Sequence, residues 1–323
     1  MVYNFFMKVA VFAEKSQDTT GGIPSSGVKK VFFDGSFKSK LQGKEVKNVD
    51  IVHIFATGKL RKRGIRLAKK YKKPIVISEM NYIPKDEQKK EVEMLNSAQA
   101  VIVPTWKFGD GLMKLGVKVP IAVVPAFLSE RELRAKYAPR KMLAGEKLKI
   151  FWKGEMTLNS GILAFLEALS GLDTEQGYEA YIYGTGELFK AATKFADGHK
   201  VNARFYGEVS GAEMQRKMAE CHLGVCSRIN DMVQPIELIE MKHAGLPILI
   251  RDDRYEEFLA VGGYVLCKKK TIIGLTETIE RVMKCPWAIE GVSQRNLNDK
   301  NGVVYAGQNE TIMNVYRYIN RGR

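Results

Sequence analysis

Short runs rich in Val and Ile recur along the chain, separated by stretches of helical spacing. In the first half they are KVAVFAE (8–14), VDIVHIF (49–55), KPIVISE (73–79), AQAVIVPT (98–105) and VPIAVVPA (119–126). Continuous apolar runs of this kind predict strands of a parallel sheet covered on both faces. GIRLAKKYKK (64–73) and KDEQKKEVEMLNSA (85–98) carry the helical pattern between them. Repeated βα units predict a doubly wound sheet.

The pattern restarts after a polar, charged stretch, FLSERELRAKYAPRKMLAGEK (127–147), interrupted by Pro139 and Gly145 and read as an interdomain connection. LKIFWKG (148–154) opens the second set, followed by a helix from about Gly161 to Leu169. YEAYIYGTG (178–186), NARFYGEV (202–209), HLGVCSR (222–228) and GLPILIRD (245–252) continue the strands. YEEFLAVGGYVL (255–266) reads as helix, glycine turn and strand, and ETIMNVYRYINRG (310–322) as a last helix. The expected class is α/β, with domains at 1–143 and 144–300. Residues 301–323 form a C-terminal helix able to pack back on the first domain. Two such domains are expected to face each other across a cleft at the carboxyl ends of their strands, where ligands bind.

Composition adds one strong asymmetry. The 323 residues carry a formal net charge of +15. Residues 1–143 hold 28 Lys and Arg against 13 Asp and Glu, whereas residues 144–323 hold 23 of each. Basicity confined to one half points to an anionic partner for that half. The 4 cysteines are too few for a disulfide framework, so a reducing cytoplasm is expected. His222 beside Cys221 lacks the paired short spacings of a zinc site. The acidic cluster RDDRYEEF (251–258) lies before a helix, where Asp and Glu stabilise the amino end. Neither is read as a metal site, and no metal or cofactor is expected. No apolar run is long enough to span a bilayer, and the apolar start is broken by Lys8, so it reads as a first strand rather than a signal peptide.

Residues 227–247, SRINDMVQPIELIEMKHAGLP, supply the candidate chemistry. A strand runs into a loop and then a short helix whose amino end offers backbone N–H groups to an anion, with Glu240 one turn on. On spacing alone the same text also describes an ordinary crossover with Glu240 solvated.

The flanking motifs resemble those of family 4-type glycosyltransferases of the GT-B fold. IEMKHAGLP matches the family's L-E-A-M-A-x-G-x-P, which puts its ribose-holding glutamate on Glu240, with Glu237 at the start of the same helix. KIFWKGEMTLNSGILAFLEAL resembles its phosphate-binding strand, loop and helix, with Lys153 and Gly154 at the turn. AYIYGTGEL matches its Gly–x–Gly element at Gly184 and Gly186. In the first half TTGGIPSSGV (19–28) resembles the family's glycine turn, and Gly21 and Gly22 would let the backbone approach the donor phosphates. The resemblance runs from about Lys8 to Leu266. It implies a retaining, metal-independent transfer of a sugar from a nucleotide-diphosphate-sugar donor to an acceptor.

The chain also departs from that pattern. The family's first glutamate falls on Met232, beside Asp231. Its arginine and lysine of the phosphate loop fall on Glu155 and Ser160. Lys153 and Arg228 are the nearest basic residues in the right loops and are expected to take over the diphosphate. Glu79 stands where the family often has a histidine near the reacting centre. There, with Asp231, it is a candidate to orient the acceptor or stabilise positive charge, although a glutamate after a strand also serves as a turn residue. His53 reads as a packed histidine of its strand.

KLRKRGIRLAKKYKK (59–73) holds nine basic residues among fifteen. Arg61, Lys62, Arg63, Arg66, Lys69 and Lys70 are expected to form a cationic helix face for an anionic acceptor or a membrane surface. Such a peripheral enzyme would sit at the cytoplasmic face. Nucleic acid is the second choice of partner, because stacking aromatics are not interleaved in the run. Two alternatives accompany the main reading: a DNA- or polyanion-modifying GT-B enzyme, and a nucleotide-sugar-binding protein that has lost catalysis.

Overall fold

The structure is a computed structural model that describes residues 7–13, 28–33, 42–80, 83–125, 128, 135–143, 145–172, 177–229, 236–253, 255, 259, 262–267, 269–299 and 305–321. The chain divides into two compact units. One comprises Met1–Ser129 with Val304–Arg323, and the other Glu130–Asp231 with Pro235–Val303.

The first unit is a six-stranded sheet of β1 (Met7–Phe12), β2 (Val28–Phe33), β3 (Ile51–Ile54), β4 (Ile75–Ser78), β5 (Ala100–Val103) and β6 (Ile121–Val123), ordered β2-β1-β3-β4-β5-β6. Every pairing is parallel. Strands β3 to β5 are buried at every position, which is why they read as continuous apolar runs. β2 was not legible as a strand: VKKVFF lies at the sheet edge, where exposed positions break the run. Helices α1 (Gly58–Lys70), α2 (Gln88–Leu95) and α3 (Trp106–Lys114) follow β3, β4 and β5. Successive right-handed crossovers in one direction put all three on one face of the sheet. One core cluster accordingly joins Val52, Ile54 and Ile77 of the sheet to Ile65, Val92 and Phe108, one from each helix.

The second unit holds β7 (Leu148–Lys153), α4 (Ile162–Ser170), β8 (Tyr178–Tyr183), α5 (Phe189–Gly198), β9 (Ala203–Gly207), α6 (Gly211–Glu220), β10 (Leu223–Cys226), α7 (Ile236–His243), β11 (Ile248–Ile250) and β12 (Tyr264–Leu266). α8 (Ile272–Lys284) and α9 (Pro286–Asn298) follow. The strands form a second parallel sheet ordered β12-β11-β10-β7-β8-β9. Alternation along β7 feeds two cores: Ile150 and Trp152 join one, and Phe151 joins the other with Tyr181 and Tyr183. The helix read within 255–266 falls largely on residues outside those described, and the strand at its end is β12.

The connecting stretch is better anchored than its polarity suggests. Arg140 is buried, its backbone N–H donates to Ser293 Oγ (2.8 Å), and its guanidinium donates to the carbonyls of Ala138 and Ala244. These bonds tie it into the second unit.

The final helix, α10 (Tyr305–Arg321), belongs to the first unit. Tyr316 is buried, and its hydroxyl shares a 2.6 Å hydrogen bond with His53 Nδ1, while His53 Nε2 shares one of 2.7 Å with Ser78 Oγ. A neutral imidazole has one donor and one acceptor nitrogen, and hydroxyls can meet either. Burial lowers the His53 pKa to about 3, so the ring stays neutral.

Candidate functional site

Strand order locates the site in the second unit. After β7 the chain winds outward through β8 and β9, then crosses back to place β10 on the other side of β7. The boundary between β7 and β10 is therefore a switch point, and the carboxyl ends flanking it are where α/β sheets bind ligands. Lys153 is the last residue of β7, and Ser227 and Arg228 follow β10 directly.

These ends converge on α7, at its second and fifth residues. Lys153 Nζ donates to both carboxylate oxygens of Glu240, at 2.7 and 2.5 Å. Arg228 Nε donates to Glu237 Oε1 at 3.1 Å. A side chain added at Gly154 would meet Glu237 Oε1 at 3.6 Å, so this carboxylate faces the turn after β7. Two cations and two carboxylates thus form a compact, charge-balanced cluster. Lys153 remains partly exposed, as a residue that meets a ligand must be.

The glycines shape the floor of the cluster. Gly184 has φ +114°, and a Cβ there would lie 2.1 Å from the Gly154 carbonyl oxygen. Gly186 has φ +150°, with the Met156 carbonyl oxygen 2.6 Å from the same construction. The turn after β8 therefore lies directly on the turn after β7, an approach that only glycine permits. Backbone bonds from Met156 N–H to Thr185 O (2.8 Å) and from Gly184 N–H to Gly207 O (2.8 Å) fix the stack. These glycines serve contact between loops.

Ser227 was not singled out in the sequence. Trp152 Nε1 donates to its hydroxyl (2.9 Å), which donates to the Ser160 carbonyl (2.8 Å). Gly161, at φ +70°, lets the helix start pass 2.2 Å from the Ser227 carbonyl oxygen, measured from an added Cβ. A small polar residue just beyond a buried strand was the available signal. Ser160 is buried and its hydroxyl donates to the Thr157 carbonyl, so it acts within its own turn, whereas Glu155 is exposed.

In the first unit the expectations need correction. Arg61 is not part of a cationic surface: it is 1% exposed and pairs through Nη1 with Glu79 (2.5 Å) and Glu91 (2.6 Å). Arg61 Nε also donates to the Ala56 carbonyl (2.8 Å). Burial alone would lower its pKa, but the two carboxylates outweigh that and raise it. Glu79 is equally buried and bound to a guanidinium, a structural partner rather than an open acceptor-binding group. Helical spacing explains the burial of Arg61, which sits on the same stripe as Gly64, Ile65 and Ala68, facing the sheet. Lys62, Arg66, Lys69 and Lys70 are exposed, and Arg63 is half-buried with its guanidinium 6.0 Å from the Phe33 ring centroid. Gly21, Gly22 and Asp231 lie outside the described residues.

Among the described residues, no group of three or more His, Cys, Asp and Glu could hold a metal ion. No helix among them is long and apolar enough to cross a membrane.

No protein-family model matches the sequence, and no curated protein matches it. Solved structures do match its shape. Anabaena HepE, in complex with UDP-glucose, aligns with a TM-score of 0.77 at 12% identity, covering 97% of this chain and 100% of HepE. Sucrose-phosphate synthase from Thermosynechococcus elongatus aligns with a TM-score of 0.79 at 10% identity, over 98% and 100% of the two chains. A glycosyltransferase from Rickettsia africae aligns with a TM-score of 0.67 at 14% identity, over 98% and 99%. At these identities the likeness is one of fold: two successive six-stranded parallel α/β units, the GT-B fold, over almost the whole chain.

Proposed function

We propose that this protein is a glycosyltransferase that takes a sugar from a nucleotide-diphosphate-sugar donor bound in its second unit. The observation that carries this is the convergence of Lys153, Gly154, Arg228, Glu237 and Glu240 at one switch point. The shared fold with HepE, whose structure holds UDP-glucose, supports the same reading.

In this proposal Glu240 accepts hydrogen bonds from the ribose hydroxyls. Lys153 leaves Glu240 for the donor diphosphate, and Arg228 approaches from the end of β10. The oxygen of an acceptor hydroxyl bonds to the anomeric carbon as the bond from that carbon to the diphosphate breaks. The acceptor proton passes to the departing diphosphate, whose charge Lys153 and Arg228 hold. We take the transfer to be retaining and metal-independent, as the family resemblance implies.

A second reading is favoured by the charge balance of the cluster. Each cation already has a carboxylate partner, and Glu155 adds an exposed carboxylate in the phosphate turn. A site neutralised in this way suits a nucleotide-sugar-binding protein without turnover.

Thermal-shift and calorimetric titration with UDP, GDP, ADP and their sugars test the main proposal. Stabilisation by one nucleotide family, with release of free nucleotide from its sugar conjugate, supports the transferase. Stabilisation without release supports the binding protein. No response to any nucleotide removes both.

A further inference from the structure

The first unit carries a surface that the donor site does not use. α1, α2 and α3 lie side by side on one face of the sheet, while Tyr316 of α10 bonds to His53, whose neighbours Val52 and Ile54 point into the α1–α3 core. Adjacent helices are locked together: Arg61 of α1 pairs with Glu91 of α2, and Asn96, just after α2, donates to the Gly116 carbonyl just after α3. Their outer sides therefore form one continuous surface.

That surface is cationic. Across the three helices nine basic side chains are exposed, against two carboxylates, Glu93 and Asp110. Eight of the nine are lysines, and Arg66 is the ninth. Lys62 and Lys90 face each other across the α1–α2 groove, and this contact lowers the Lys62 pKa. Two ammonium groups held together repel unless an anion lies between them.

The surface is also apolar at one side. Trp106 is 73% exposed, Met113 53% and Leu115 40%. Trp106 and Met113 are seven residues apart and share the outer stripe of α3, opposite the buried Phe108 and Leu112. Lys107 and Lys114 are exposed beside them. Large apolar side chains standing in water among lysines fit the boundary between headgroups and acyl chains, where both find partners.

We propose that the α1–α3 face of the first unit docks on a bilayer surface rich in anionic lipids, with Trp106 and Met113 entering the headgroup layer. Lysines suit a diffuse layer of headgroup phosphates, whereas recognition of nucleic acid favours the planar fork of arginine. The observations are independent of the donor site, so this proposal and the glycosyltransferase reading can fail separately.

Vesicle flotation of the full chain tests it, using phosphatidylcholine alone and phosphatidylcholine with an equal part of phosphatidylglycerol, across a sodium chloride series. The protein should float with the anionic vesicles, stay behind with the neutral ones and be released by salt. Each charge removed should weaken partitioning about fivefold. The quadruple variant Lys62→Gln, Arg66→Gln, Lys69→Gln, Lys90→Gln should therefore lose two to three orders of magnitude, roughly. Trp106→Ala should weaken it about threefold or more at every salt concentration. All five positions are exposed, and an unchanged Tm shows that the variants fold. Failure to float with anionic vesicles overturns the proposal, as does wild-type flotation of the quadruple variant. Preferential retention on duplex DNA, in direct competition with vesicles, overturns it in favour of nucleic acid.

Discussion

Lys153 and Glu240 are 87 residues apart in sequence, yet the lysine ammonium lies 2.5 and 2.7 Å from the two oxygens of the glutamate carboxylate. The pair joins the last residue of β7 to the fifth residue of α7 across the switch point of the second sheet. In the proposed function this carboxylate exchanges its ammonium partner for ribose hydroxyls, and the ammonium moves to phosphate.

Lys153→Met should therefore raise the Kd for a nucleoside diphosphate at least tenfold, about 1.4 kcal/mol, while changing affinity for the bare nucleoside less. Glu240→Gln should weaken both, because ribose contacts are common to them. Isothermal titration of the four combinations measures this. Equal losses for nucleoside and diphosphate in Lys153→Met would remove Lys153 from the phosphate subsite.

Gly184→Ala should destabilise the second unit by about 2–4 kcal/mol, because a Cβ at φ +114° meets the Gly154 carbonyl oxygen at 2.1 Å. Gly198→Ala is the control, since an added Cβ there meets no atom within 4 Å. Urea denaturation compares them. A similar midpoint for the two variants would show that the loops part easily.

Replacing Arg61 by Met should cost about 3–5 kcal/mol, since Glu79 and Glu91 would lose their shared buried cation. The triple variant Arg61→Met, Glu79→Gln, Glu91→Gln should recover much of that loss. Chemical denaturation decides the matter: a triple variant no more stable than the single one would mean that packing of the arginine stem dominates.

The buried His53 gives the protein a defined acid sensitivity. Its folded pKa is about 3, against an unfolded value of about 6.5, so the unfolded chain binds the extra proton between them. Its contribution is fully present above about pH 6.5 and declines as pH falls toward 3, by about 1.4 kcal/mol per unit. His53→Gln should flatten the stability profile between pH 6 and 4, roughly the centre of that window. An unchanged slope in the variant would assign the acid sensitivity to other groups.

Parallel topology made much of this fold legible. Strands such as IVHI and AVIV are buried on both faces, so their apolar runs stand out against any helix. β2 escaped because an edge strand exposes Lys29 and Phe32 to solvent. The clustering of the candidate donor residues was legible for a related reason. Lys153 and Arg228 stand at strand ends and Glu240 on the helix that follows, positions that come from the strands. The fate of Arg61 was not legible, because it depends on Glu79 and Glu91, 18 and 30 residues away. Nine basic residues in fifteen looked like one surface, but a helix has an inner stripe whatever its composition, and Arg61 falls on it.

The bond between His53 and Tyr316 spans 263 residues. A ribosome adds about 5–20 residues per second, so roughly 13 to 50 seconds separate the making of the two partners. Throughout that interval the nascent first sheet holds a histidine whose stabilising hydroxyl does not yet exist. The second unit, by contrast, has all of its strands translated before Tyr316 emerges. Order of synthesis and order of completion are therefore inverted: the unit begun first is the one finished last.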